Sequence, residues 1–251
     1  MKNPKDENGT PFVLVGRNAV AEAINSGKTI HRLFVKKGEI EGSLKVIVAK
    51  AKGQGVVITF VPKEKLDDMS DGGRHQGIIA HCPPYDYADL DEVLSKIAEA
   101  DQPPFLIILD KIFDPHNFGA IIRTALACAA HAIITPKRRC VGITPAVVSA
   151  SAGAIEHMPI CRVTNISQTI DHLKTQNIWI VGADAAGQTI YEVPLSGPIA
   201  LVIGNEGEGI SRLAKEKCDF LVSLPMRGPI PSLNASVAAA VCMYEILRNR
   251  H

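Results

Sequence analysis

Apolar positions recur along the chain with two periods, and the two periods alternate. Val13–Val15 is a short apolar run that reads as a strand. Arg17–Ser26 follows with helical spacing and stops at Gly27, a residue type that commonly ends helices. Ile30–Val35 reads as a strand, Leu44–Lys52 as a helix closed by Gly53 and Gly55, and Val56–Val61 as a further strand. Pro62 suits the first turn of a helix through Met69, and Gly77–Cys82 ends the series as a strand. This alternation over about seventy residues predicts a small α/β sandwich, close to the smallest domain that supports its own core.

The pattern then pauses. Pro83-Pro84-Tyr85-Asp86-Tyr87-Ala88-Asp89 and Gln102-Pro103-Pro104 are turn-forming clusters, with Leu90, Val93, Leu94 and Ile97 at helical spacing between them. Beyond, Phe105–Leu109 is an unbroken apolar run of the kind buried on both faces of a parallel sheet. Further strands are expected at Ala132–Thr135, Ile160–Val163, Trp179–Gly182, Ile199–Ile203 and Phe220–Leu224, with helices between and a last one from Ala235 to Arg248. The expected organisation is a small α/β domain at 11–82, a linker at 83–103, and a doubly wound, mostly parallel α/β domain at 104–251. In such a domain the ligand site lies at the carboxyl ends of the strands.

Composition narrows the function. The 251 residues are 46% hydrophobic and 21% charged, which excludes intrinsic disorder. Apolar stretches such as Phe105–Leu109 and Ile199–Ile203 are too short to cross a bilayer, so no membrane partner is expected. The opening segment Met1–Glu7 is polar and lacks the apolar run of a signal peptide. Six dispersed cysteines without a C-x-x-C pair argue against a zinc site or a disulfide framework; no metal and a reducing cytoplasm are expected. A net charge of +1 argues at first against a nucleic-acid partner. Its distribution argues otherwise: residues 1–82 carry 13 basic and 9 acidic residues, 83–102 one and six, and 103–251 thirteen and eleven. An acidic linker masks two mildly basic halves.

Three strand-exit loops carry the candidate chemistry. The first is Asp110-Lys-Ile-Phe-Asp114-Pro115-His116-Asn117-Phe118-Gly119, leading to Arg123 and Thr124. Here Asn117 and Arg123 are expected to face the strand-end cleft, or else to be a helix cap and a solvated side chain. The second, Gly204-Asn205-Glu206-Gly207-Glu208-Gly209, places three glycines in six residues, so its backbone must bend sharply or admit close approach. Its glycine order is not that of the dinucleotide fingerprint, and two glutamates would repel a pyrophosphate; a ligand with hydroxyls or a positive centre suits it better. The third is Leu224-Pro225-Met226-Arg227-Gly228-Pro229-Ile230-Pro231-Ser232-Leu233-Asn234, a proline-fixed loop in which Ser232 or Asn234 can cap the next helix. Gly27-Lys28-Thr29 is a poor phosphate loop because Glu22 stands where a glycine is needed. His116 suits a structural or substrate-edge role, and Lys137-Arg138-Arg139 is a basic run on an expected cleft-side loop.

These three loops, in this order, resemble the motifs of the SpoU (TrmH-type) 2'-O-ribose RNA methyltransferases of the SPOUT superfamily. The matching text is Asp114–Gly119 through Arg123, then Gly204–Gly209, then Leu224-Pro225 with Ser232-Leu233-Asn234. The front half, through Gly16-Arg17-Asn18-Ala19-Val20 and His75-Gln76-Gly77-Ile78, is similar to the substrate-binding domain of the RlmB-type members, which is related to a ribosomal-protein RNA-binding fold. Those members act on a guanosine ribose of large-subunit (23S) ribosomal RNA.

The resemblance implies a trefoil-knotted α/β C-terminal domain, S-adenosyl-L-methionine as cofactor, and a homodimer. It implies catalytic roles for Asn117, Arg123, Glu206, Ser232 and Asn234. Cofactor contacts are implied for Gly204, Gly207, Leu224, Pro225, Leu233 and Asn234, largely through backbone groups. Pro229-Ile230-Pro231 departs from the family, which commonly has small polar residues before the serine. The implied reaction is in-line attack of a ribose 2'-OH on a sulfonium methyl, where positioning supplies much of the catalysis. Arg123, a poor base, is expected to hold the adjacent phosphate and stabilise developing alkoxide. A 2'-OH target selects RNA over DNA. Lys28, Arg32, Lys36 and Lys37 add phosphate contacts, so binding should weaken with salt.

Overall fold

The computed structural model describes residues 12–250 apart from Asp71, Pro84 and Pro231. The opening polar segment and those two loop prolines therefore lie outside the described residues. Two compact units emerge. One is the chain up to Asp86 together with Ile143–Glu156; the other is Tyr87–Gly142 together with the chain from His157 onward.

The first unit is built on β1 (Phe12–Val15), α1 (Arg17–Asn25), β2 (Arg32–Lys36), α2 (Ser43–Gly53), β3 (Ile58–Val61), α3 (Lys63–Met69) and β4 (Ile78–Cys82). The sheet order is β1-β4-β2-β3, with β2 and β3 parallel and the other pairs antiparallel. Alternate positions Leu14, Leu33, Val35, Ile78 and Ala80 are fully buried, as are Val20 and Ala23 of α1. The later segment adds a helix, Pro145–Ser151, whose Val147 and Val148 are also buried. Near its end Glu156 accepts a hydrogen bond from Lys28 Nζ at 2.9 Å, and both side chains are largely buried. The ammonium also lies 5.4 Å from the Tyr85 ring centroid. Lys28 is thus committed to an internal ion pair, which accounts for it without a phosphate.

The second unit contains α4 (Leu90–Glu99), β5 (Phe105–Leu109), α5 (Pro115–Ala127), β6 (Ala132–Pro136), β7 (Ile160–Val163), α7 (Ile166–Thr175), β8 (Trp179–Thr189), β9 (Ile199–Ile203), α8 (Arg212–Lys217), β10 (Phe220–Ser223) and α9 (Ala235–Asn249), the helix at Pro145–Ser151 being α6. Its six strands are all parallel, in the order β10-β8-β9-β5-β6-β7. The expected doubly wound parallel sheet is therefore present. Strands β5 and β9 lie in register from Phe105 opposite Ile199 to Leu109 opposite Ile203, and every residue of both is buried. Each such aliphatic side chain contributes about 1.5–3 kcal/mol over exposure, so these runs belong in mid-sheet. Val93 and Ile97 of α4 join Ile166, Ile170 and Leu173 of α7 in the core cluster with this sheet.

One strand runs past its expected end. β8 continues from Gly182 to Thr189, and its pairing with β10 jumps from Leu221 opposite Gly182 to Val222 opposite Gln188. Residues 183–187 form a bulge between those two pairings. At Gly187 a Cβ would lie 2.5 Å from the Leu221 backbone, so only glycine permits the approach.

Candidate active site

Parallel strands deliver their exit loops to one edge, and here four adjacent strands do so. A cavity of about 410 Å³ opens there. It is lined by Ala183–Ala185 of the β8 bulge, Ile203–Gly209 after β9, Val222–Leu224 and Met226 after β10, Ser232 and Leu233, and Ala235, Ala238 and Cys242 of α9. Of the residues expected to meet a cofactor, Gly204, Gly207, Leu224 and Leu233 line this cavity. Pro225 and Asn234 are not among the lining residues; Pro225 is exposed and Asn234 stands next to Leu233 and Ala235, which are.

The glycine loop is a tight hairpin. Asn205 and Gly209 exchange both backbone hydrogen bonds, at 3.2 and 2.8 Å, and Asn205 Oδ1 accepts from Gly207 N at 2.9 Å. Gly209 adopts a φ of +66°, which favours glycine, while a Cβ on Gly204 would meet Gly209 backbone carbon at 2.2 Å. Gly207 differs. A Cβ there would meet only Asn205 Oδ1, at 3.5 Å, so neither conformation nor crowding within the chain demands glycine. Gly207 is nevertheless one of the residues that line the cavity.

Beside the cavity is a network of side chains from all three loops. Glu206 Oε1 accepts from Asn117 Nδ2 at 2.8 Å, from Asn234 Nδ2 at 2.7 Å and from Ala235 N at 3.1 Å. Asn234 Nδ2 also donates to Asn117 Oδ1 at 2.9 Å. Asp114, with Pro115 in the first turn, caps α5 by accepting from His116 N, so Asn117 is no cap; it is buried and points its amide at Glu206. Asn234 does both jobs considered for it. Its Oδ1 caps α9 by accepting from Ser236 N at 3.0 Å and Val237 N at 3.3 Å, and its amide nitrogen serves the network.

The remaining candidates stand apart from that network. Ser232 is exposed on the cavity wall. Arg123 lies two turns into α5, exposed, with no acidic partner at ion-pair distance among the described residues. His116 is also exposed.

Three residues that the sequence did not single out shape the site. Buried Asp110 accepts from Ser211 N at 2.7 Å, tying the end of β5 to the segment after the glycine loop. Lys111 Nζ bonds Glu208 Oε2 at 2.5 Å. That ammonium, with a smaller contribution from Arg139, holds Glu208 below the usual carboxylate range. Asp184 lines the cavity from the bulge; burial pushes its carboxyl up, but Lys215 at 2.9 Å and Ala186 N outweigh this and lower it. The signal for Asp184 was the small-residue run Gly182-Ala-Asp-Ala-Ala-Gly187 at a strand exit. The Asp184 and Glu208 carboxylates are thus each paired with a lysine, while Glu206 accepts only amide hydrogen bonds, in a wall otherwise built of backbone, small residues and the apolar side chains of Ile203, Val222, Leu224, Met226 and Leu233.

Residues 104–244 match the model of the SpoU rRNA Methylase family, and residues 13–88 match that of the RNA 2'-O ribose methyltransferase substrate binding family. The chain belongs to the SpoU family of RNA methyltransferases. YacO of Bacillus subtilis, named as a TrmH family tRNA/rRNA methyltransferase, is 46% identical over 239 residues, covering 95% of this chain and 96% of the relative. A Staphylococcus haemolyticus relative of the same designation is 46% identical over 241 residues, covering 96% of each chain. Among solved structures, the SpoU methyltransferase AviRb of Streptomyces viridochromogenes in complex with AdoMet superposes with a TM-score of 0.76 at 25% identity, covering 94% of this chain and 89% of that one. Of the motif residues read from the sequence, Gly204, Gly207, Leu224, Ser232 and Leu233 line the cavity and Asn117, Glu206 and Asn234 form the network beside it, whereas Arg123 and Pro225 do neither.

Proposed function

We propose that this SpoU-family chain transfers the methyl group of S-adenosyl-L-methionine to a ribose 2'-OH, of a guanosine in large-subunit (23S) ribosomal RNA. The observation that carries the reading is the convergence of Asn117, Glu206 and Asn234 on one hydrogen-bonded cluster beside a cavity walled by Gly204, Gly207, Leu224 and Leu233. The cavity has the size of a small-molecule site. Its glycine at Gly207 and the Glu206 carboxylate, which has no lysine or arginine at ion-pair distance among the described residues, suit a cofactor with a cationic centre. Gly204, Gly207, Leu224, Pro225, Leu233 and Asn234 would hold that cofactor, which supplies an electrophilic methyl when bound.

The chain's own residues then position the nucleophile. Asn117 and Asn234 orient the ribose, with Glu206 fixing both amides. Ser232 holds a phosphate or Arg123. The exposed Arg123 guanidinium anchors the phosphate next to the target and stabilises the developing alkoxide. The front unit supplies further RNA contacts through the matched substrate-binding domain at 13–88.

The working form is a homodimer with the knotted topology of the superfamily. Supporting the dimer, Val237, Val241 and Tyr244 form an exposed apolar stripe on α9, at 48%, 37% and 54% accessibility. Six free cysteines fit a reducing cytoplasm, and no helix among the described residues is long and apolar enough to cross a membrane.

Methyl transfer from labelled S-adenosylmethionine to ribosomal and transfer RNA, with the modified nucleotide mapped, tests the reading. A 2'-O-methylguanosine in large-subunit RNA is expected. Modification confined to transfer RNA would overturn the substrate, and absence of transfer to either would overturn the activity.

A further inference from the structure

Two features outside the cavity are left unused by the proposed chemistry, and they lie side by side. Phe113, in the exit loop of β5, is 56% exposed. A lone exposed aromatic is ordinary, but this one sits in an immobilised loop. The preceding Ile112 is buried, and its carbonyl accepts from Val141 N at 2.9 Å and Cys140 Sγ at 3.0 Å. Lys111 adopts a φ of +63° with its ammonium on Glu208, and Asp114 caps α5. The ring therefore projects from a fixed backbone, and little ordering entropy is lost when something packs on it.

The same bonds to Ile112 position the second feature. Cys140 and Val141 directly follow Lys137-Arg138-Arg139 at the exit of β6, the strand next to β5. All three basic side chains are exposed, and among the described residues none has a carboxylate at ion-pair distance. Nearby carboxylates are already engaged: Glu208 with Lys111, Asp110 with Ser211 N, Asp114 with His116 N. The result is a fixed aromatic face beside positive charge that no carboxylate pairs, Arg139 acting only weakly on a Glu208 already held by Lys111, on the same edge of the sheet as the cavity.

We propose that this rim is a nucleotide subsite, in which Phe113 stacks on an unpaired base flanking the target and Arg138 and Arg139 hold adjacent phosphates. The subsite rests on the RNA methyltransferase reading and specifies the form of RNA required. A base can reach Phe113 only from a loop, bulge or single strand, because a duplex keeps its bases stacked inside.

The test uses the full-length protein and a single-stranded fragment of the RNA it methylates, with 2-aminopurine scanned across positions flanking the acceptor. Quenching at one flanking position is expected with the native chain and with Phe113→Tyr, but not with Phe113→Ala. Phe113→Ala should weaken binding of the fragment about 10-fold and raise KM for RNA while leaving S-adenosylmethionine affinity unchanged. Arg138→Ala with Arg139→Ala should reduce the slope of log affinity against log salt by about 1.4, the amount expected for two single-strand phosphates. Unchanged quenching and affinity in Phe113→Ala, in a protein that still methylates RNA, would overturn the subsite alone. Conversion of a dimer to a monomer by Phe113→Ala with RNA affinity intact would assign the ring to a second copy instead. Failure of the native chain to methylate any RNA would overturn the subsite together with the reading beneath it.

Discussion

Asn234 and Asn117, 117 residues apart in sequence, are joined by a single side-chain hydrogen bond of 2.9 Å from Nδ2 of the first to Oδ1 of the second. Both amides also donate to one oxygen of Glu206. The bond therefore closes a three-membered ring of side chains, each from a different loop. Asn234→Asp tests it. The cap on α9 survives, because the remaining oxygen still accepts, but a second carboxylate now faces Glu206. Methyl transfer should fall by about 10- to 100-fold, the loss of one to two hydrogen bonds to a charged group, with only a small change in Tm. A variant retaining full activity in the labelled-methyl assay would contradict the ring's role.

The two cavity glycines, Gly204 and Gly207, should respond differently to alanine. Gly204→Ala places a carbon 2.2 Å from backbone, so the hairpin must distort, and both Tm and cofactor affinity should drop. Gly207→Ala meets nothing closer than 3.5 Å and should leave Tm within about 1 °C of the native value, since surface changes cost at most about 0.5 kcal/mol. Its effect should appear in calorimetric titration with S-adenosylmethionine, as weaker binding.

Removing Glu156 takes from the largely buried Lys28 ammonium the carboxylate that accepts its 2.9 Å hydrogen bond. Glu156→Ala should cost about 2 kcal/mol, lowering Tm by roughly 4–8 °C for a protein of this size. The double variant Lys28→Met, Glu156→Leu should recover most of that loss. Differential scanning calorimetry of the three proteins decides it.

Alkaline pH should destabilise the fold through its thiols. Burial pushes Cys82, Cys128 and Cys161 up to about 11, and Cys218 and Cys242 up to about 12. A thiol whose folded value is raised keeps its full contribution below the unfolded value near 8.5 and loses it as pH rises towards the folded one. Denaturant midpoints should therefore decline between about pH 9 and 11, and native thiols should resist iodoacetamide at pH 8. Rapid labelling of all six without denaturant would be incompatible with this.

Dimerisation through α9 predicts that Val241→Glu, in the middle of the exposed stripe, yields a monomer in analytical ultracentrifugation. An unchanged dimer would move the interface elsewhere on the unit.

Strands buried on both faces were the most legible part of the fold. Phe105–Leu109 and Ile199–Ile203 emerge with the bounds their apolar runs suggest, since an uninterrupted run of five apolar residues has no polar face to show. β8 was legible only to Gly182, because the following Ala-Asp-Ala-Ala-Gly carries no alternation; its continuation depends on pairing with β10, a tertiary effect. In the site, the glycine loop and the polar motif residues were visible as text. Which of them touch was not. Asn117 as a cap and as a buried donor fit the sequence equally, and Asp114 decides between them by taking the cap. Arg123 makes none of the cluster's hydrogen bonds, because six residues of helix carry it round from Asn117 to an exposed position.

The excursion of Ile143–Glu156 bears on how this protein can be taken apart. The backbone passes between the two units three times, after Asp86, Gly142 and Glu156, where a simple tandem arrangement would need one passage. A chain cut after Asp86 would deprive the front unit of α6 and leave Val147 and Val148 without the core they fill. The front unit is therefore not a detachable cassette. Any exchange of this front unit for another must carry the 143–156 segment with it.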